Sequence, residues 1–158
     1  MEEKVLVLQP TTRLYWQDDH CFETSASIVG EGELALAFDR TCFYPGGGGQ
    51  PADTGSVQFR NGEEIRVTVV NAGDDDVIWH TLAERPTGAR VGEVVTLRLD
   101  RERREALMRY HTVLHVLNTL ALRDYGGWIT GVQIGVDYSR IDFNFEAFSE
   151  TLCAELES

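Results

Sequence analysis

Short runs of alternating apolar and polar residues, interrupted by glycine, asparagine and proline, fill the first 99 positions of the chain. Phe22 to Val29 forms one such run and stops at Gly30-Glu31-Gly32. In the next, the period of two puts Leu34, Leu36 and Phe38 on one face of a strand. Val57 to Arg60 and Ile65 to Val70 flank Asn61-Gly62, the dipeptide that most readily supplies two positive φ angles to a tight hairpin. Val77 to Thr81 and Val94 to Leu99 complete the set. Many short strands with frequent turn signals predict a small antiparallel β-barrel over residues 1–95.

The period changes at Asp100. That residue is suited to cap a helix running from Arg101 to about Leu122, with Glu102 in the favourable first turn. Leu107, Tyr110, Leu114, Leu117 and Ala121 recur three and four apart and predict one buried stripe. Gly126-Gly127 ends the helix. Two strand-like stretches, Trp128 to Val136 and Arg140 to Phe145, precede an amphipathic helix from about Ala147 to Leu156. The fold class is therefore α+β, a barrel followed over residues 96–158 by an α/β part.

Composition changes this picture little. The 158 residues, 42% apolar and 25% charged, suffice for a core that needs no disulfide or metal staple. The first residues lack a basic start and a long apolar run, and no stretch approaches the roughly 20 apolar residues that cross a bilayer. Cys21, Cys42 and Cys153 make no close pair, which suits a reducing cytoplasm. Charge adds more. The net value of −12 argues against a surface that grips nucleic acid everywhere. Yet six arginines face four acids between Thr96 and Tyr125. Arg101, Arg103 and Arg104 are thus candidate contacts for phosphate, the other reading being a solvated helix face.

Two segments carry candidate chemistry. His111-Thr112-Val113-Leu114-His115 places two imidazoles at i and i+4, about 40° apart around a helix, so that both reach one metal ion. A metalloprotease would need Glu after the first histidine, where Thr112 stands. Two hydrogen-bonded histidines beside a core stripe are the structural alternative. The second segment is Tyr44-Pro45-Gly46-Gly47-Gly48-Gly49-Gln50-Pro51-Ala52-Asp53. Four successive glycines imply unusual φ angles or a close approach, though a permissive turn would also use them. No Gly-Lys-Ser/Thr follows, so it is not a nucleotide-binding P-loop.

Together these segments resemble the alanyl-tRNA editing proteins called AlaX and the editing region of alanyl-tRNA synthetase. Tyr44 to Gly55 looks like that family's glycine-rich motif. Leu99-Asp100-Arg101, Arg104 and His111 to His115 resemble the approach to its HxxxH zinc motif. Thr130-Gly131-Val132-Gln133-Ile134-Gly135, then Arg140-Ile141-Asp142-Phe143, resemble its next block. The resemblance spans about residues 12–145. It implies a barrel followed by an editing core of the alanyl/threonyl-tRNA synthetase type, acting on the ester that joins serine or glycine to alanine tRNA. His111 and His115 would then be Zn2+ ligands, Thr130 a hydroxyl-sensing group and Gln133 a pocket residue. Gly47, Gly48, Gly49 and Gln50 would stand near the aminoacyl group. A pocket for a small side chain rejects one extra hydroxyl poorly, so a separate hydrolytic site is the usual remedy. A threonine left unpaired by alanine would spare the correct ester.

The family completes its zinc site with a later CxxxH segment. Here no histidine follows His115, and Cys153 is followed at i+4 by Glu157. Three expectations follow from that departure. The chain is part of a longer editing hydrolase, or a shortened, non-catalytic tRNA- or partner-binding module, or a subunit completed by another chain or by homo-oligomerisation.

Overall fold

The computed structural model describes residues 8–146 and 149–157. The chain divides into two compact units, one of Met1–Gly47 with Pro51–Glu105 and the other of Gly48–Gln50 with Ala106–Ser158. The division falls inside the long helix instead of near residue 96.

The first unit holds strands β1 (Thr12–Arg13), β2 (Glu23–Glu31), β3 (Ala35–Phe38), β4 (Arg40–Thr41), β5 (Gly55–Gln58), β6 (Glu64–Ala72), β7 (Ile78–Leu82) and β8 (Val94–Leu99). Six of them close a barrel in the order β2-β3-β7-β6-β5-β8, every neighbour antiparallel. Closure pairs both edges of each strand, so no open edge remains in the barrel. Alternation sends Ala26, Ile28, Leu36, Phe38, Ile78, Leu82, Val95, Leu97 and Leu99 into one core. In β6 the alternation slips. Thr68 is an extra residue in the register with β7, so that Val67 and Val70 both point inward. The hydroxyl of Thr68 donates to the Thr81 carbonyl across the bulge at 3.2 Å.

Two expectations about this unit change. Asn61-Gly62 is not a two-residue turn, since only Gly62 has positive φ, at 89°. Gly62 N–H bonds Phe59 O, Phe59 N–H bonds Glu63 O, and the Asn61 side chain accepts from Glu63 N–H. This is a three-residue loop ending in a left-handed glycine. Leu34 is largely exposed, because β3 begins only at Ala35. The two-residue strands β1 and β4, paired in parallel, are too short to show a period.

Helix α1 (Arg101–Tyr125) begins in the first unit and continues in the second. Asp100 caps it, its carboxylate accepting from Arg103 N–H at 3.1 Å. At the other end Gly126, at φ +64°, turns the chain, and the N–H groups of Gly126 and Gly127 bond the carbonyls of Leu122 and Ala121. Strands β9 (Trp128–Gln133) and β10 (Arg140–Asn144) form an antiparallel pair. Leu107, Leu114 and Ile134 are buried in this unit, with Tyr110, Val132 and Ile141 packed against them. Leu117, expected in the same stripe, is 41% exposed. It stands about 60° around the helix from Leu114, beyond the strip a two-stranded sheet covers. The last helix, α2, is described over Glu150–Glu157; Ala147, where the sequence places its start, lies outside the described residues.

His80 is enclosed in the barrel core, edge-on to Phe38 and Phe43, with Nε2 2.8 Å from Thr41 Oγ1. Burial pushes its pKa down from 6.5 to about 4. Between those values the unfolded chain binds a proton that the folded barrel refuses. Stability is therefore highest above pH 6.5 and falls as pH drops toward 4, by about 3 kcal/mol at this site. Urea midpoints of wild type and His80→Gln at pH 7.5 and 4.5 test this. The variant should lose markedly less stability between the two.

Candidate functional site

The glycine-rich loop is closed at its base by Asp53. Its N–H donates to Tyr44 O at 3.0 Å, and its carboxylate accepts from Tyr44 N–H at 2.6 Å. That carboxylate is itself held by Arg104, from the first turn of α1. Arg104 Nε lies 3.0 and 3.1 Å from the two carboxylate oxygens. The remaining fork donates to Asp19 O at 3.1 Å and Cys42 O at 2.8 Å. Both side chains are almost wholly enclosed, at 3% and 2% exposure. Arg104 is thus an internal strut of the barrel unit. Its position withdraws it from the expected phosphate contacts, since every arm of its guanidinium is engaged. Arg101 is exposed, paired with Glu105 at 2.8 Å and lying over the Phe22 ring. Arg103 is half-buried and donates to Ala52 O.

Gly46, Gly47, Gly48 and Gly49 all have positive φ, from 59° to 134°. Side chains rarely adopt that region, which is why the run is glycine. The tip, Gly48–Gln50, belongs to the second unit. Gly49 O accepts from Ile134 N–H at 2.9 Å. A Cβ on Gly49 would meet Val132 Cγ1 at 2.5 Å, so the backbone passes where no side chain fits. Gln50 follows, buried, with Oε1 2.8 Å from His111 Nδ1.

His111 and His115 stack one helical turn apart, ring centroids 4.8 Å and planes 16° from parallel. Burial, then the neighbouring His115, lowers the His111 pKa and favours the neutral ring. Both rings line a cleft of about 230 Å³ together with Gly48, Leu114, Asn118, Ile129, Val132 and Ile134. Asn118 was not singled out in the sequence. Its signal was available, since positions 111, 115 and 118 share one helix face.

Thr130 and Gln133 are not among the residues lining this cleft. Gly131 pairs with Asp142 and Ile129 with Phe143, which leaves Thr130 as an extra residue of β9. The pleat changes phase there, so Ile129 and Val132 share the inner face. Thr130 instead donates its hydroxyl to Asp142 O at 3.2 Å.

The donor set has the chemistry of part of a metal site. Gln50 Oε1 can only accept, so it holds a proton on His111 Nδ1 and leaves Nε2 as the lone-pair nitrogen. This is the arrangement metal-bound histidines use. Two imidazoles so placed fit part of a zinc site. Among the described residues, no carboxylate or thiolate groups with them; the single such cluster is Asp18, Asp19 and His20, exposed on the barrel unit. Cys153 is half-buried on α2, while the side chain of Glu157 lies outside the described part.

Comparison with known proteins places this architecture. The family described as "tRNA synthetases class II (A)" matches residues 12–103. The chain belongs to that family. It is 40% identical over 153 residues to an alanyl-tRNA editing protein AlaX-M of Methanosarcina mazei, which covers 93% of the chain and 61% of the relative. It is 38% identical over 137 residues to an AlaX-M of Saccharolobus solfataricus, covering 86% and 57%. An alanine–tRNA ligase of Saccharolobus islandicus is 35% identical over 144 residues, covering 90% of the chain and 16% of the ligase. The chain thus spans about three fifths of the AlaX-M proteins it matches.

Removing one partner of the enclosed ion pair strands the other charge. Asp53→Ala should lower stability by roughly 3–5 kcal/mol, and Asp53→Leu combined with Arg104→Met should recover much of that loss. Urea unfolding of the three proteins measures it.

Proposed function

We propose that the chain is the part of an alanyl-tRNA editing hydrolase that carries the paired histidines, acting on serine or glycine esterified to alanine tRNA. The observation that supports this most is the shared cleft. His111, His115 and the tip of the glycine-rich loop meet there, between the apolar walls of Leu114, Ile129, Val132 and Ile134. The similarity to the AlaX-M proteins points the same way.

The physical steps are modest. An aminoacyl ester is already activated, so the site needs to hold its carbonyl, orient a water and keep bulk solvent from the leaving group. The small cleft accepts a short side chain. Its polar side chains are the two histidines and Asn118. In this reading the Asn118 amide, not the Thr130 hydroxyl, pairs with the seryl hydroxyl. Alanine would leave that amide without a partner, which is how a hydroxyl comes to be required. His111 and His115 would hold zinc, with further ligands from outside the described residues. Bound zinc supplies a Lewis acid for the ester carbonyl or lowers the pKa of a bound water. Arg101 and Arg103 would meet tRNA phosphates.

A second reading, a tRNA-binding module without hydrolysis, is favoured by one observation. The cleft brings together two metal-type donors among the described residues, fewer than the three a catalytic zinc ordinarily takes from protein.

Deacylation of seryl-tRNA and alanyl-tRNA, measured beside zinc content per chain, separates the two. The hydrolase reading expects selective release of serine, abolished in a His111→Ala, His115→Ala protein. Equal rates in wild type and that variant, with tRNA still bound, would establish the binding module instead. Replacing Arg101 and Arg103 by Ala should weaken tRNA binding and flatten its salt dependence by about one unit of slope per lost phosphate contact. An unchanged slope rules out those contacts.

A further inference from the structure

We infer that Gln50 is a positioning residue that selects the Nδ1–H tautomer of His111 and aims its Nε2 lone pair, instead of a residue that touches substrate. The inference rests on the reading above, in which His111 binds metal through Nε2.

Three observations converge on it. Gln50 is only 8% exposed, which leaves its amide little surface to offer an ester or a ribose. Its Oε1 lies 2.8 Å from His111 Nδ1, and a carbonyl oxygen can only accept, so the proton in that bond belongs to the imidazole. The backbone that delivers it is held twice at Gly49. Gly49 O is bound by Ile134 N–H, and Gly49 lies too close to Val132 for any side chain. The neutral histidine side chain in water prefers the opposite tautomer, with the proton on Nε2. Without a fixed acceptor at Nδ1, His111 would therefore present an N–H where a lone pair is required. Four glycines at positive φ acquire a specific purpose on this account. They bring one buried acceptor to one ring nitrogen.

The contrast with a substrate-binding role is sharp. A residue touching the aminoacyl group would change discrimination between seryl and alanyl esters and leave the free ring alone. A positioning residue changes the ring in the absence of substrate and metal, and any metal-dependent loss follows from that.

The test uses the 158-residue chain with 15N-labelled histidine, metal-free at pH 8, and reads ring tautomers from two-bond 1H–15N correlations. A His111→Asn variant assigns the signals. The expected wild-type pattern has a protonated Nδ1 and a bare Nε2 at His111. Gln50→Leu should shift it to the Nε2–H form or an average of the two. Gln50→Glu, which keeps an acceptor, should retain the wild-type pattern. Cobalt(II) titration, followed by visible absorption, should show affinity reduced about 10–100-fold in Gln50→Leu and largely restored in Gln50→Glu. A wild-type ring with its proton on Nε2 overturns the inference, whatever the variants do. So does a pattern unchanged in Gln50→Leu. If Gln50→Leu does not fold, the wild-type tautomer and the Gln50→Glu protein decide. A locked tautomer in a chain that binds no cobalt supports the positioning role and leaves the proposed function to the zinc and deacylation measurements.

Discussion

An arginine and an aspartate sealed from water hold the glycine-rich loop in place. Arg104 and Asp53 are both almost fully enclosed, and all three guanidinium nitrogens donate to carboxylate or main-chain oxygens. Enclosing two charges carries a large desolvation cost, offset only when geometry and hydrogen bonds are complete. Here they are, and the arrangement does more than balance the cost. The same carboxylate closes the loop base through Tyr44 N–H, so the first turn of α1 and the ends of the loop share one anchor. A hydrophobic pair of equal volume would fill the space but would leave Tyr44 N–H unanswered.

Threonine serves a second recurrent purpose. In both β6 and β9 the extra residue of a bulge is threonine, Thr68 in one and Thr130 in the other. Each turns its hydroxyl onto a carbonyl of the facing strand. A bulge disrupts the local ladder, and a short hydroxyl side chain can satisfy an acceptor there. The two bulges change which residues face inward. In β6 they admit Val70 to the barrel core, and in β9 they bring Ile129 onto the same wall as Val132 and Ile134.

Much of this is legible in the sequence. The alternation of Leu36 with Phe38 and of Val95, Leu97 and Leu99 is local, as is the cap at Asp100 and the spacing of His111 and His115. Those features depend on neighbours a few residues away, and sequence displays such neighbours directly. What escaped depends on residues far apart. The phase change at Thr130 exists only because β10 pairs with β9 in one register, so neither the sequence period nor the resemblance shows that Thr130 stands outside the cleft lining. Arg104 read as a surface cation because a charge run does not reveal which member lies against Asp53, 51 positions away. Leu117 followed the helical period faithfully, but the hairpin beneath was narrower than the stripe. Asn118, three residues beyond His115 on the same helix face, is legible as a lining residue from that spacing alone.

The loop's two attachments differ in kind. Its base is fastened by an ion pair within the barrel, while Gly48–Gln50 is fastened by one main-chain hydrogen bond and packing against a two-stranded hairpin and by the Gln50 bond to His111. Local opening free energies follow such differences, and regions with few buried contacts open first. Fraying of the hairpin would thus release Gly49, the residue that leads into Gln50, from Ile134 and Val132 while leaving every strand of the barrel paired.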